Sequence, residues 1–316
     1  ALFALPAAYW NHLHDWVSFR HVATQTGASS GAFNPMNVLE MLGGQFGAVG
    51  PTVAIMMIGA IVYALSSRRS GADSNRDKLL FLVFAGLPFF LLNLLASIRT
   101  KVQANWPAPA YFSLIILTAY FLSICLRDRQ TWNRWRGLFW ASILIAVAFI
   151  PLAHDTAPLL RVAKIFVKNP QRVAKLDLLV RMRGWEELGR NVSDQLMTLG
   201  DGAFVMCDDY QQTAETAFYV DHQPMTYCAG PYYGKRLSQY DLWEDRRLDK
   251  GSPLIGRNAV YVGKGGGPPR EVTEAFERVV AQPHLPVVVE GVEVKSFKTW
   301  QCFGFKGMAP LPAHDY

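Results

Sequence analysis

Four stretches of the chain, Gly50–Leu65, Leu79–Ile98, Pro107–Leu126 and Leu138–Ala153, contain no Asp, Glu, Lys or Arg and are almost wholly apolar. A helix that crosses a bilayer needs about 17–25 such residues. The second and third stretches meet that length comfortably, and the other two sit at its short edge. Buried helices of a soluble core usually keep a polar face, and these do not. Residues 1–157 are therefore expected to form an α-helical polytopic membrane domain. Its four transmembrane helices fall at about 50–66, 79–98, 107–126 and 138–153, after an outer loop 10–49. The segment Ala1–Trp10 reads as the last turns of a further membrane helix. It has no initiator Met and no signal-peptide pattern, as expected of a chain cut from a longer protein.

The charges orient these helices. The segment Ser66–Lys78 carries Arg68, Arg69, Arg76 and Lys78 against Asp73 and Asp77, and Arg127–Gly137 carries four Arg against Asp128. Short loops rich in Lys and Arg face the cytoplasm. Ala1–Val49, Arg99–Trp106 and everything after His154 are then expected outside. Beyond His154 there are 20 basic and 20 acidic residues, so the net charge of +6 belongs wholly to the membrane half. Its inner loops supply +5 of it, which is orientation and not recognition, so the charge does not point to nucleic acid. Arg99 and Lys101 break the rule, lying at the outer end of a membrane helix. Snorkelling toward headgroups and an anion site at the membrane surface both account for them.

After residue 157 the composition becomes that of a soluble domain, and 158–316 is expected to be an extracytoplasmic α/β domain. Leu159–Val180 is a basic amphipathic stretch interrupted by Pro170, expected to lie on the membrane surface. Gly184–Leu199 has helical spacing. Ala203–Cys207, Pro224–Cys228 and Arg257–Val262 read as strands. A helix follows Asp208-Asp209, either of which can cap it, and another is expected over Glu271–Ala281. Pro286–Val289 and Val292–Phe305 form a hairpin turning at Glu290-Gly291. Cys207 and Cys228, on neighbouring strands, are the first choice for a disulfide in an oxidising compartment, with Cys302 the third thiol of the domain.

Few stretches carry chemistry. His12, His14, Asp15 and His21 crowd the outer loop, but lack the converging ligand set a metal needs. They are expected to line a polar crevice together with Trp16. Asp208-Asp209 has the wrong spacing for an Asp-x-Asp metal motif. Gly263–Pro269 lacks the order of a phosphate loop. Arg99–Tyr111 is the most informative stretch, because Arg, Lys, Gln, Asn and an indole are packed between two membrane helices. Pro107 then restarts the helix.

The run Lys101–Tyr111 (KVQANWPAPAY) resembles the GT-C type membrane glycosyltransferases, closest to the bacterial family 39 and aminoarabinose-transferase-like proteins. So do Trp10-Asn11, His14-Asp15-Trp16, Ser18-Phe19 and His21 in the outer loop. Asp209-Tyr210, Ala217-Phe218-Tyr219 and Gln239–Trp243 match more loosely. The resemblance implies the C-terminal portion of an inner-membrane, multi-pass enzyme of the cell envelope. Such an enzyme moves a sugar from a polyprenyl-phosphate carrier to a lipid or glycan acceptor on the outer face. It implies that Arg99, Lys101, Gln103, Asn105 and Trp106 hold the carrier phosphate, and more weakly that His14, Asp15, Trp16 and His21 contribute. The family's acidic catalytic residue lies in an earlier loop, so no catalytic residue is assigned here. These residues assign no cofactor, and a divalent cation is compatible with the chemistry. The other reading is a non-catalytic membrane-anchored subunit whose outer α/β domain binds a partner protein or glycan. A transporter fits poorly, because the membrane helices carry no ionisable groups.

Overall fold

The computed structural model describes residues 2–25, 33–66, 75–264 and 266–311. Arg68, Arg69 and Asp73 of the expected inner loop, Gly265 of the Gly263–Pro269 turn and the side chain of His21 lie outside the described ones. The chain divides into two compact units, Ala1–Ile150 and Pro151–Asp315.

The first unit is helical: α1 (Leu5–Leu13), α2 (Val17–Gln25), α3 (Pro35–Val49), α4 (Pro51–Ser66), α5 (Arg76–Ser97), α6 (Ala108–Cys125) and α7 (Arg129–His154, which runs past the division). Three of these, α5, α6 and α7, are long and apolar enough to cross a membrane. The first expected span is different. It is α4, only 16 residues long, joined to α3 at a bend of 98°, and the pair reaches spanning length only when taken together. Gly50 makes the bend, with φ 86° at the end of α3. A residue with a side chain avoids that conformation.

The expected outer loop 10–49 is also corrected, since its described part is mostly helix. Asn34 starts α3 by accepting the Met36 N–H at 3.0 Å, with Pro35 at the first position. That pairing is a helix-start signal, which the Gly43-Gly44 pair in the same segment obscures. Likewise the basic segment 127–137 is not a loop. Asp128 accepts the Thr131 N–H at 2.9 Å and its hydroxyl at 2.5 Å, so α7 begins at Arg129 and carries Arg129, Arg134 and Arg136 on its first turns.

Helices α5 and α6 approach closely at Gly86. A Cβ on Gly86 of α5 would sit 2.6 Å from the Ala110 carbonyl of α6, and close approach of this kind is how helices associate in lipid. Gly86→Leu is expected to cost about 1–3 kcal/mol of packing. Less folded protein should then be recovered from membranes, with a lower melting temperature in detergent.

The second unit is α/β: α8 (Ala157–Phe166), α9 (Pro170–Ala174), α10 (Trp185–Leu199), β1 (Phe204–Cys207), α11 (Tyr210–Tyr219), β2 (Thr226–Cys228), β3 (Ala259–Gly263), α12 (Arg270–Glu274), β4 (Phe276–Ala281), β5 (Leu285–Val289) and β6 (Val292–Phe305). The sheet order is β2-β1-β3-β6-β4, with β5 on the other half of β6. The first three strands are parallel, and β6 runs antiparallel to β3, β4 and β5.

Strands β1 and β3 are buried throughout, as expected when both faces of a parallel sheet are covered. Val205, Cys207, Val260 and Val262 face Leu188 and Val192 of α10. Phe204, Met206, Ala259 and Tyr261 face the opposite core with Phe276, Trp300 and Phe305. The helix expected over Glu271–Ala281 lasts one turn and becomes β4. Its Phe276, Val279 and Val280 are strand formers that pair with β6.

The basic amphipathic stretch splits at Pro170, which starts α9 under an Asn169 cap. Leu160 and Ala163 of α8 pack on Val173 and Val292. Arg161 pairs with Glu290 at 2.7 Å, and Lys164 donates to the Glu290 carbonyl. The outward residues of α8, Val162, Ile165 and Phe166, stay exposed. Glu290 and Gly291 both take positive φ, the two-residue hairpin geometry expected between β5 and β6.

Candidate functional site

The stretch between α5 and α6 is braced by α3. The Asn34 N–H donates to the Ile98 carbonyl at 3.0 Å. Gln45, buried on α3, donates through Nε2 to the Ala104 carbonyl at 3.2 Å and accepts the Tyr111 hydroxyl at 2.6 Å. Val102 is buried and pins the middle of the loop. A Cβ added at Gly44 would meet the Ala104 Cβ at 3.4 Å. Around these anchors Arg99, Lys101, Gln103 and Asn105 are exposed, and Trp106 is half-buried. The loop therefore has a fixed backbone and projects a polar, basic surface.

Lys101 pairs with Glu40 of α3 at 2.7 Å, both side chains being about half exposed or more. An exposed pair of this kind contributes about 0–1 kcal/mol, so an incoming anion can displace the carboxylate cheaply. Among the described residues Arg99 makes no ion pair. Next to the Gln45–Tyr111 hydrogen bond lies an apolar cavity of about 230 Å³, lined by Phe46, Val49, Met57, Ile61, Leu87 and Phe90. Neither Glu40 nor Gln45 was singled out from sequence. Their only signal is that α3 is a helix, which places Glu40 and Gln45 over the loop.

The outer-loop candidates sit elsewhere, in the break between α1 and α2. His14 stacks on Trp10 at 4.1 Å and bonds the Trp10 carbonyl at 2.8 Å. Asp15 and Trp16 take left-handed φ of 52° and 57°, which is unfavourable for side chains of that size. Trp16 packs on Phe19. Among the described residues no hydrogen bond, ion pair or ring contact joins His14, Asp15 or Trp16 to Arg99–Trp106.

In the second unit, Asp208 and Asp209 follow β1 but do different work. Asp209 caps α11, accepting the N–H groups of Gln211 and Gln212 at 3.0 Å, and pairs with Lys264. Asp208 does not cap. It is buried and accepts from Lys235 at 2.6 Å, from Tyr261 at 3.1 Å and from Tyr233. Burial alone would raise its carboxyl pKa, but these three donors outweigh that and hold it below the usual range. Both phenols are pushed up, chiefly by burial.

The cysteines are free and buried. Cys207 and Cys228 are direct partners in the β1–β2 register, so the expected neighbours are found, but as thiols. Burial pushes both up to about 12, which makes them poor nucleophiles at neutral pH.

The chain is similar to a lipid A galacturonosyltransferase of Rhizobium johnstonii, 35% identical over 122 residues. Those residues are 39% of this chain and 24% of the relative, so the chain spans about a quarter of that protein's length in the match. No family model matches, and no solved structure matches. With helices of membrane-spanning length and composition and this similarity, the chain is a membrane protein related to a glycosyltransferase.

Proposed function

We propose that the chain is part of a membrane glycosyltransferase that moves a sugar from a polyprenyl-phosphate carrier to an acceptor on the outer face of the inner membrane. The observation that carries this reading is the similarity to a lipid A galacturonosyltransferase. It is supported by the braced basic loop and the adjacent apolar cavity. In this reading Arg99 and Lys101 hold the carrier phosphate, Gln103, Asn105 and the Trp106 indole donate to its remaining oxygens, and the cavity takes the start of the polyprenyl chain.

The reaction is a displacement at the anomeric carbon. The bond from that carbon to the phosphate oxygen breaks, its electron pair leaving on the phosphate. The acceptor hydroxyl oxygen forms the new bond, and its proton passes to a general base supplied by another part of the protein. Cations beside the departing phosphate stabilise the charge that develops on it.

The test is transfer in membranes that carry the complete natural protein, using a radiolabelled polyprenyl-phosphate sugar. Label is expected to move to a membrane acceptor. Label that stays on the carrier, with transfer from a nucleotide sugar instead, would overturn the reading.

A further inference from the structure

The second unit holds a crevice of about 870 Å³, bounded by the Val180–Met182 turn, the first turns of α11, the end of β3 and the start of β6. Three cations line it, Arg181, Lys264 and Lys295. Among the described residues Arg181 and Lys295 have no carboxylate partner, while Lys264 is held by Asp209. Lys295 is half-buried. It rests 4.0 Å from the Trp185 ring centre and 4.1 Å from that of Phe297, and donates to the Arg183 carbonyl at 3.4 Å. A half-buried ammonium without a counter-charge is costly unless something anionic reaches it. Burial, and then the neighbouring Lys264, lower its pKa to about 8, with Glu215 opposing.

The acceptors in the same wall ask for the opposite partner. Gln212 is 2% exposed, lines the crevice, and its Oε1 is buried with no hydrogen bond. Buried polar atoms are rarely left so. Glu215 is the carboxylate of the lining. Cations need a ligand that accepts, while the Glu215 carboxylate takes one that donates. A phosphate monoester carried on a hydroxylated ring does both, and the crevice is large enough for it.

We infer that this crevice binds a sugar phosphate, its phosphate on Lys264, Lys295 and Arg181 and a ring hydroxyl on Glu215. The site lies within the second unit and does not depend on the carrier-phosphate reading of Arg99 and Lys101.

The probe is glucose 1-phosphate, titrated calorimetrically into the complete protein in nanodiscs. The background is Arg99→Ala with Lys101→Ala, so that phosphate held at the other loop does not count. One saturable site is expected, with inorganic phosphate weaker and glucose undetectable. Lys264→Ala and Lys295→Met should each weaken binding about tenfold or more, as loss of a charge-assisted hydrogen bond implies. Lys264 is exposed, so its variant keeps the test valid should Lys295→Met not fold. Displacement of the probe by phosphatidic acid in the nanodisc would assign the site to lipid headgroups, and lack of displacement to a soluble or glycan phosphate. No saturable binding, or variants that melt and bind like the parent, would overturn the inference.

Discussion

Replacing Arg99 or Lys101 by Ala in the complete protein is expected to slow sugar transfer by about 10²–10³-fold. That is the usual loss when one group facing developing charge is removed. The loss should fall on kcat more than on KM, because the carrier phosphate is a diester before bond breaking and gains charge only as it leaves. Lys101 already pairs with Glu40, so part of its effect is spent on that carboxylate, and Arg99→Ala is expected to be the more severe. Glu40→Gln should do the reverse and tighten the substrate complex a few-fold, within the worth of an exposed pair. Protein levels should stay near normal in all three, since the loop is anchored by Val102, Gln45 and Tyr111, none of which is altered. Normal transfer in both alanine variants would remove the phosphate role.

Asp208→Asn is expected to destabilise the second unit by about 2–4 kcal/mol. The carboxylate is 5% exposed and collects Lys235, Tyr233 and Tyr261. Asparagine keeps the shape but offers one acceptor, so a buried phenol and a cation are left poorly matched. Lys235 is 42% exposed, and water will screen part of its loss, which favours the lower half of that range. For a unit of this size the melting temperature should drop by about 5–12 °C. The pH dependence has a definite sign. The Asp208 pKa is lowered on folding, so its contribution is complete above about pH 5, where the unfolded carboxyl is almost fully ionised. It fades as the pH falls below that toward the folded value. Asp208→Asn should therefore flatten the acid limb of the stability curve, and an unchanged limb would show that the network is not ionic.

The parts legible from sequence were those in which one physical signal dominated. Charge-free runs marked α5 and α6 almost to the residue, and runs of buried β-branched and aromatic residues marked β1 and β3. Gly291 marked the hairpin because glycine takes positive φ freely, and Glu290 beside it takes positive φ as well. The misses came where signals conflicted. The segment expected as an outer loop holds α3, which Asn34 and Pro35 start. The arginines of α7 have the charge density of an inner loop, but the Asp128 cap starts a helix under them. Glu271–Glu274 has the polarity of a helix, but Phe276 onward is drawn into the sheet by its pairing with β6, a contact invisible along the chain. At the candidate site the exposed residues of the 99–106 loop were readable from their type. Glu40, Gln45 and the separate work of Asp208 and Asp209 were not, because each depends on a partner that is distant in sequence.

The most direct measurement is equilibrium binding of sugar-free undecaprenyl phosphate to the complete protein in detergent, compared with the Arg99→Ala, Lys101→Ala double variant. Losing two charge-assisted contacts is expected to weaken binding by about 10²-fold or more, while the dephosphorylated alcohol binds both proteins equally and weakly. Equal affinity of the two proteins for the phosphate would contradict the claim that this loop is where the carrier is held.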